Sequence, residues 1–164
     1  MPHRLFSLLA ALTAFAVHGF AQYSHGYVYA APGGATSAFS GFGSTNTSAT
    51  LHLGGGGEWV SRWGLGAGAE VGYLGARSFG SGFGTFSPSA SYHFLKRGKW
   101  DPFAAGGYTL GFRNGTINMF HFGGGTNYWF SNRVGLKLEF RDHVYSPGRA
   151  AVHFWGFRFG ATFR

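Results

Sequence analysis

The chain has 164 residues, no cysteine and a formal net charge of +8, and 20% of its residues are aromatic. Only 11% are charged, against about a quarter in a soluble domain, so much of the surface is not expected to face water. The absence of cysteine excludes a disulfide framework and a thiolate metal site, and the many aromatic residues argue against intrinsic disorder. The basic residues are scattered, which favours an anionic lipid surface over nucleic acid as their partner.

The first segment, residues 1–21, has the layout of a secretory signal peptide. Arg4 gives it a positive start, residues 5–17 form an apolar run, and Gly19 and Ala21 supply small residues before a cleavage site at Gln22. The run is too short to span a bilayer as a helix, and the alternative is a buried N-terminal helix of the mature fold. Residues 22–164 are predicted to form one domain.

Eight strands are predicted in the rest of the chain, because apolar and polar residues alternate with a period of two. They cover residues 23–31, 48–59, 63–74, 83–95, 102–112, 116–130, 134–144 and 151–164. Residues 32–47, rich in Gly, Ser, Thr and Asn, are predicted to form the one long loop. Asn114-Gly115 indicates a hairpin turn, and Pro88 is expected to introduce a bulge in the fourth strand.

The apolar rows of these strands are almost purely aromatic and aliphatic, whereas the charges lie on the opposite rows or in turns. An exported chain without a second helical apolar run can reside in a membrane only as a closed β-barrel. The sequence therefore predicts an all-β protein, an eight-stranded antiparallel up-and-down transmembrane barrel, with its apolar rows facing lipid. A soluble lipocalin-type barrel is the alternative, but it would need charged residues on its outer face.

The polar rows predict the contents of the lumen. A charge network is expected inside the barrel, where acids and bases should pair because an unpaired buried charge is costly. Its predicted members are Glu58, Glu70, Lys137, Glu139, Arg141 and Arg158, accompanied by His52, Thr109, His121 and Asn127. Such a network would close the lumen. The many glycines and serines on the same rows favour the alternative, a narrow water-filled path.

Aromatic residues near the predicted strand ends are expected to form the girdles at the two membrane interfaces. These residues are Trp59, Trp63, Tyr73, Tyr92, Trp100, Tyr128 and Trp129. The histidines show no metal-ligand spacing on a shared face with acids, so they are expected to lie scattered at the barrel rims. No metal and no cofactor are predicted.

With its eight strands and its ending FWGFRFGATFR, the chain resembles the small outer-membrane β-barrels of the OmpA/OmpX type. The resemblance implies residence in the cell outer membrane, contact with outer-membrane lipid, and both termini in the periplasm. It also implies that Trp155, Phe157, Phe159 and Phe163 form the C-terminal signal for the barrel-assembly machinery, with delivery by periplasmic chaperones. A monomer that binds no nucleic acid is expected.

Catalysis is weighed at Asp142, His143 and Ser146, because some small outer-membrane barrels hydrolyse lipid with a Ser/His pair. Their spacing departs from the His-x-Ser arrangement of the lipid A deacylases, and Pro147 and Gly148 indicate a turn. We therefore predict no enzyme, but a barrel with a structural or surface-interaction role, in which residues 32–47 would be the first candidate for recognition. A narrow porin-like channel for ions or small solutes is the first alternative, and an outer-membrane lipid hydrolase is the second.

Overall fold

The computed structural model of the chain describes residues 21–39, 46–76, 82–95, 98–146, 148 and 150–164. Its eight strands are β1 (Ala21–Phe39), β2 (Asn46–Ser61), β3 (Leu65–Ala76), β4 (Phe83–His93), β5 (Trp100–Phe112), β6 (Thr116–Trp129), β7 (Val134–Tyr145) and β8 (Ala150–Phe163). Of the predicted signal peptide only Ala21 is described, so its cleavage stays a prediction. Within the described residues, no helix is long and apolar enough to cross a membrane.

The strands form one closed barrel in which each strand pairs antiparallel with its sequence neighbours. Closure comes from β1 and β8, which pair along most of their length, from Gly26 opposite Phe163 to Phe39 opposite Ala150. The fold class predicted from the alternation is confirmed. We call the end that holds Ala21, Phe163 and the turn at residues 62–64 the terminal end. The opposite end is the loop end, and it holds the strand ends Phe39, Asn46, Ala76, Phe83, Phe112, Thr116, Tyr145 and Ala150.

The prediction of a loop at residues 32–47 is wrong for most of that range. β1 continues to Phe39 and β2 begins at Asn46, with Ser37 opposite Asn46 in the ladder. The Pro, Gly and Ala residues at positions 32–35 have weak strand preference, but β8 offers a second ladder on the other side of β1, with Thr36 opposite His153. Pairing on both sides outweighs local propensity. The rest of the predicted loop, residues 40–45, lies outside the described residues.

The expected bulge at Pro88 is also absent. Phe86 pairs with Leu110 and Ser89 with Gly107, which is one register on both sides of the proline. Proline lacks a ladder donor, but the loss of one donor does not require an inserted residue. A second local difference lies at Gly64, which falls within the predicted third strand, residues 63–74. It sits in the turn after β2 with a φ of 90°, a conformation that favours glycine.

Glycines on the inward rows allow close approach of neighbouring strands and do not leave open space in the lumen. A Cβ added at Gly125 would lie 2.0 Å from the carbonyl oxygen of Leu138 and 2.7 Å from the Cα of Glu139. A Cβ at Gly160 would lie 2.2 Å from the carbonyl oxygen of Val28. The glycines therefore let a narrow barrel curve, and they do not favour a water-filled path.

We expect Gly125→Ala to lower the free energy of unfolding by about 3 kcal/mol, because the new methyl group meets backbone that cannot rotate away. Urea unfolding in detergent micelles, followed by tryptophan fluorescence, measures the loss. The matched control is Gly106→Ala on the outward row of β5, where the added Cβ would meet only the carbonyl oxygen of His121 at 3.5 Å. The control should change stability by less than about 0.5 kcal/mol. Equal losses in both variants would contradict the close-approach explanation.

Candidate functional site

The centre of the lumen is organised around the carboxylate of Glu70 on β3. Arg158 donates from both terminal nitrogens to its two oxygens, at 2.8 and 2.9 Å. The Nη1 of Arg141 lies 3.1 Å from the same carboxylate, and the hydroxyls of Tyr27 and Tyr29 each donate to it at 3.2 Å. All five side chains are buried. Glu70 is thus fixed by four side chains from β1, β7 and β8, and it neutralises part of two arginine charges.

A second carboxylate, Glu139 on β7, continues this network towards the terminal end. The Nε of Arg141 donates to it, and the ammonium of Lys137 lies 3.3 Å away. Lys137 also lies over the rings of Tyr27 and Phe103, with distances of 4.6 and 4.0 Å to the ring centroids. An ammonium over an aromatic face is stabilised by the ring quadrupole. The two acids and three bases of the predicted network thus pair with one another inside the barrel.

Glu58, the remaining predicted member, lies in a separate group nearer the terminal end. Its carboxylate accepts a hydrogen bond from Ser91 and lies 3.4 and 3.5 Å from the Nε2 atoms of His25 and His93. His93 is held on its other side by Asp101, whose Oδ1 lies 2.8 Å from Nδ1. Asp101 in turn accepts from Tyr23 and Asn127. This group packs the terminal half of the lumen with polar side chains.

Three further histidines lie inside the barrel towards the loop end. The hydroxyl of Thr109 is 2.8 Å from the Nδ1 of His121 and 3.0 Å from that of His143, and it donates to Ser87. The rings of His52 and His143 meet edge to face, and the Nε2 of His52 forms a hydrogen bond with the hydroxyl of Tyr29. The lumen positions predicted for His52 and His121 agree with the structure, whereas the expectation that histidines lie at the rims is wrong for His25, His93 and His143, which are also buried. No group of acids and histidines among the described residues could hold a metal ion.

The loop end of the lumen is filled by an apolar cluster. Its buried members are Ala35, Leu74, Phe83, Met119 and Phe154, and Ile117, Tyr145 and Val152 pack against them. The rings of Phe83 and Phe154 meet edge to face with centroids 5.9 Å apart. Beneath this cluster, a cavity lined by His52, His143 and Arg158 has a volume of about 10 Å³, room for about one water molecule.

The outward rows carry the lipid-facing aromatics, with one correction. Trp129 was predicted as a girdle residue, but it lies on the inward row of β6 with 4% of its surface exposed. There it contacts the ring of His25, and the guanidinium of Arg164 lies 3.9 Å from its centroid at the terminal end. Its position follows from the continued alternation of His121, Asn127 and Trp129 on one face. The other predicted girdle residues face outward: Trp59, Trp63, Tyr73, Tyr92, Trp100 and Tyr128.

A comparison with known families identifies the chain. The family described as the outer membrane protein beta-barrel domain matches residues 7–164. The chain belongs to this family. The protein therefore resides in the outer membrane, as the sequence predicted. A search of curated protein sequences gave no match.

Solved structures of small outer-membrane barrels are similar to this barrel. The N-terminal β-barrel domain of OprF from Pseudomonas aeruginosa is 15% identical, with 87% of this chain and 98% of that chain covered and a TM-score of 0.58. Neisserial surface protein A is 13% identical, with coverage of 84% and 96% and a TM-score of 0.55. The outer membrane enzyme PagL is 17% identical, with coverage of 82% and 97% and a TM-score of 0.53. At these identities the likeness concerns the fold alone.

The residues weighed for catalysis do not converge in this outer-membrane barrel. His143 points into the lumen, where its Nε2 lies 3.2 Å from Arg158. Asp142, the next residue on the strand, faces outward and pairs with His153. Ser146 follows the end of β7 and is exposed. Adjacent strand residues point to opposite faces, so Asp142 and His143 cannot act on one substrate.

Among the lumen residues missing from the predicted interior are Tyr23, His25, Tyr27, Tyr29 and Asp101. The sequence did contain a signal for most of them, because Tyr23, His25, Tyr27 and Tyr29 share one row of β1. Tyrosine suits a membrane interface as well as a lumen, so these tyrosines alone did not show whether the row faces inward or outward. The histidine within it is the residue that indicates an inward direction, since an unpaired imidazole facing lipid is costly.

The predicted C-terminal assembly signal lies along β8. Phe157, Phe159 and Phe163 are exposed on the outward row. Trp155 is half-buried on the same row and donates from Nε1 to the hydroxyl of Thr36 at 3.2 Å. Recognition of this row by the assembly machinery stays a prediction.

Proposed function

We propose that this protein is a sealed outer-membrane barrel with a structural role, and that its loop end faces the cell exterior. The observation that carries the proposal is the double closure of the lumen. Glu70 binds both Arg141 and Arg158 across the middle, and the apolar cluster around Met119 fills the loop end. An ion would have to displace both before it could pass.

The side chains that fill the lumen also support a structural role rather than transport or catalysis. An eight-stranded barrel is just wide enough for its own side chains to fill it, and here charged and aromatic groups occupy that space. Outer-membrane lipid would contact the outward aromatics, and the barrel-assembly machinery and periplasmic chaperones would act on the chain before it inserts. We propose that the barrel works as a monomer, and that it catalyses no reaction.

Single-channel recording in a planar bilayer tests the sealed lumen. We expect the protein purified from membranes to produce no conductance steps, with its folding verified by faster migration of the unboiled band on a gel. Reproducible steps whose ion selectivity changes in Glu70→Ala would establish a narrow channel instead. A parallel recording of Val71→Ala, altered on the lipid-facing row beside Glu70, separates an effect on the lumen from an effect on the outer wall.

A further inference from the structure

Four carboxylates and three permanently charged bases are buried on the inward rows of the described strands. They are Glu58, Glu70, Asp101 and Glu139 on the one hand and Lys137, Arg141 and Arg158 on the other. The remaining acid of the chain, Asp142, lies on the outward row, and Arg164 is exposed at the terminal end. An uncompensated buried charge is costly, so the lumen needs a fourth buried cation.

His93, the last residue of β4, has a carboxylate on each side of its buried ring. Its Nδ1 lies 2.8 Å from the Oδ1 of Asp101, and its Nε2 lies 3.5 Å from the Oε2 of Glu58. Among the described side chains, that carboxylate is the polar group that Nε2 faces. A neutral imidazole has one donor and one acceptor nitrogen, whereas an ionised carboxylate can only accept. A neutral His93 would therefore place a bare nitrogen against a carboxylate oxygen.

The neighbours of His93 on β1 do not supply the missing charge in its place. The ring of His25 meets that of His93 edge to face, and its Nε2 lies 3.4 Å from Glu58. The Nδ1 of His25 has no hydrogen-bond partner among the described residues, so a second proton there would bury an unsatisfied donor. The hydroxyl of Tyr23 donates to Asp101 at 2.9 Å. The charged groups that face this site from β7 and from the residue after β8 are Lys137 and Arg164.

The buried histidines of the central network face a cation instead of two acids. The Nε2 of His143 lies 3.2 Å from the guanidinium of Arg158, and the Nδ1 of His52 lies 3.5 Å from it. Because a guanidinium can only donate, the nitrogens that face it carry no proton. The other nitrogen of His143 faces the hydroxyl of Thr109. These rings are therefore neutral, and among the histidines that the structure describes, both nitrogens face carboxylates at His93.

We propose that His93 carries a proton on both ring nitrogens and acts as a pH-dependent lock of the terminal end. The imidazolium joins β4 to β2 through Glu58 and to β5 through Asp101, and it supplies the fourth buried positive charge. When rising pH removes this proton, the two carboxylates lose their shared cation and the terminal half of the lumen loosens. The network around Glu70 contains neither of these carboxylates, so it stays closed.

Nitrogen NMR of the full barrel in micelles, with isotope-labelled histidine, tests the protonation directly. We expect both ring nitrogens of His93 to carry a proton at neutral pH, whereas His143 should show one bare nitrogen. The ring signals are assigned through their couplings to the backbone, so this test needs no variant. A bare ring nitrogen in His93 at neutral pH overturns the proposal, since the shared proton would then lie on a carboxylate.

Local signals separate a loosened terminal end from general unfolding. The indole N–H signal of Trp129 reports on the terminal group, because its ring contacts that of His25. As pH rises, this signal should shift together with the deprotonation of His93, while the ring signals of His143 stay unchanged. Movement of both reporters together, or of neither, overturns the assignment of the lock to the terminal end.

Urea unfolding at a series of pH values shows whether the proton stabilises the barrel. A proton held by the folded barrel and released by the unfolded chain makes stability fall as pH rises, by up to about tenfold in the folding equilibrium per pH unit. His93→Lys keeps a cation over about pH 6 to about pH 9 and should show much less of this fall. The matched control is His121→Gln, because His121 is also buried but bonds Thr109 and no acid. It should keep the pH dependence of the natural protein, and equal pH dependence in all three proteins overturns the proposal.

Discussion

Replacing Glu70 with alanine is expected to lower the free energy of unfolding by about 3–5 kcal/mol. The change leaves Arg158 without its bidentate partner and removes an acceptor from Arg141, Tyr27 and Tyr29. All of these groups are buried, so water cannot replace the lost contacts. Urea unfolding of the protein in micelles, followed by tryptophan fluorescence, gives the loss.

A double-mutant cycle separates the ion pair from simple truncation. Arg158→Leu in the Glu70→Leu background should recover much of the stability, because a buried ion pair replaced by apolar groups of similar size is often neutral. Val71→Ala is the control for strand β3, since Val71 is 62% exposed to lipid on the opposite face. Should Glu70→Ala cost no more than Val71→Ala, the central network would not contribute to stability.

The second large effect is expected at Phe154, which closes the loop end. Phe154→Ala should lower the free energy of unfolding by about 3–5 kcal/mol, because it leaves a cavity between Phe83 and the fully buried Met119. The described side chains that pack against Phe154 are held on the strands of the closed barrel, so the space is expected to stay unfilled. The same urea titration measures the change. The new cavity can be probed by testing whether small apolar molecules such as benzene stabilise the variant.

Phe157→Ala supplies a matched comparison on the same strand. Phe157 packs against Phe140 on the lipid-facing row and is 54% exposed. Lipid or detergent tails can occupy the space that its ring leaves, so its loss should be clearly smaller than that of Phe154. A larger loss for Phe157 would contradict the interior role assigned to the apolar cluster.

Much of the site was predictable because a strand has a strict period of two. Once Glu70, Lys137 and Arg158 lie on rows of glycine and small polar residues, their inward direction follows from alternation alone. Alternation also places Trp129 on the inward row with Asn127, but the girdle prediction relied on its position near a strand end. The interior tyrosines of β1 were missed since tyrosine is equally suited to the interface and to a polar lumen.

The pairing of these side chains was not predictable, because it depends on which rows face each other across the lumen. Glu70 and Arg158 are 88 positions apart in the sequence and meet only because the barrel closes between β1 and β8. The separate placement of Glu58 with His25 and His93, and the apolar closure at the loop end, follow from the strand register in the same way. Periodicity gives the face of a residue but not its height in the barrel.

Local composition also failed where the tertiary ladder outweighed it. Residues 33–37 look like a loop, yet β1 passes through them because β2 and β8 both offer hydrogen-bonding partners there. The sequence by itself determined the class of protein, the number of strands and the face of most residues, since these depend on composition and short-range alternation. Only the closed barrel decided how long the strands are, which charges meet and how the lumen is filled, because those properties depend on register between strands far apart in the chain.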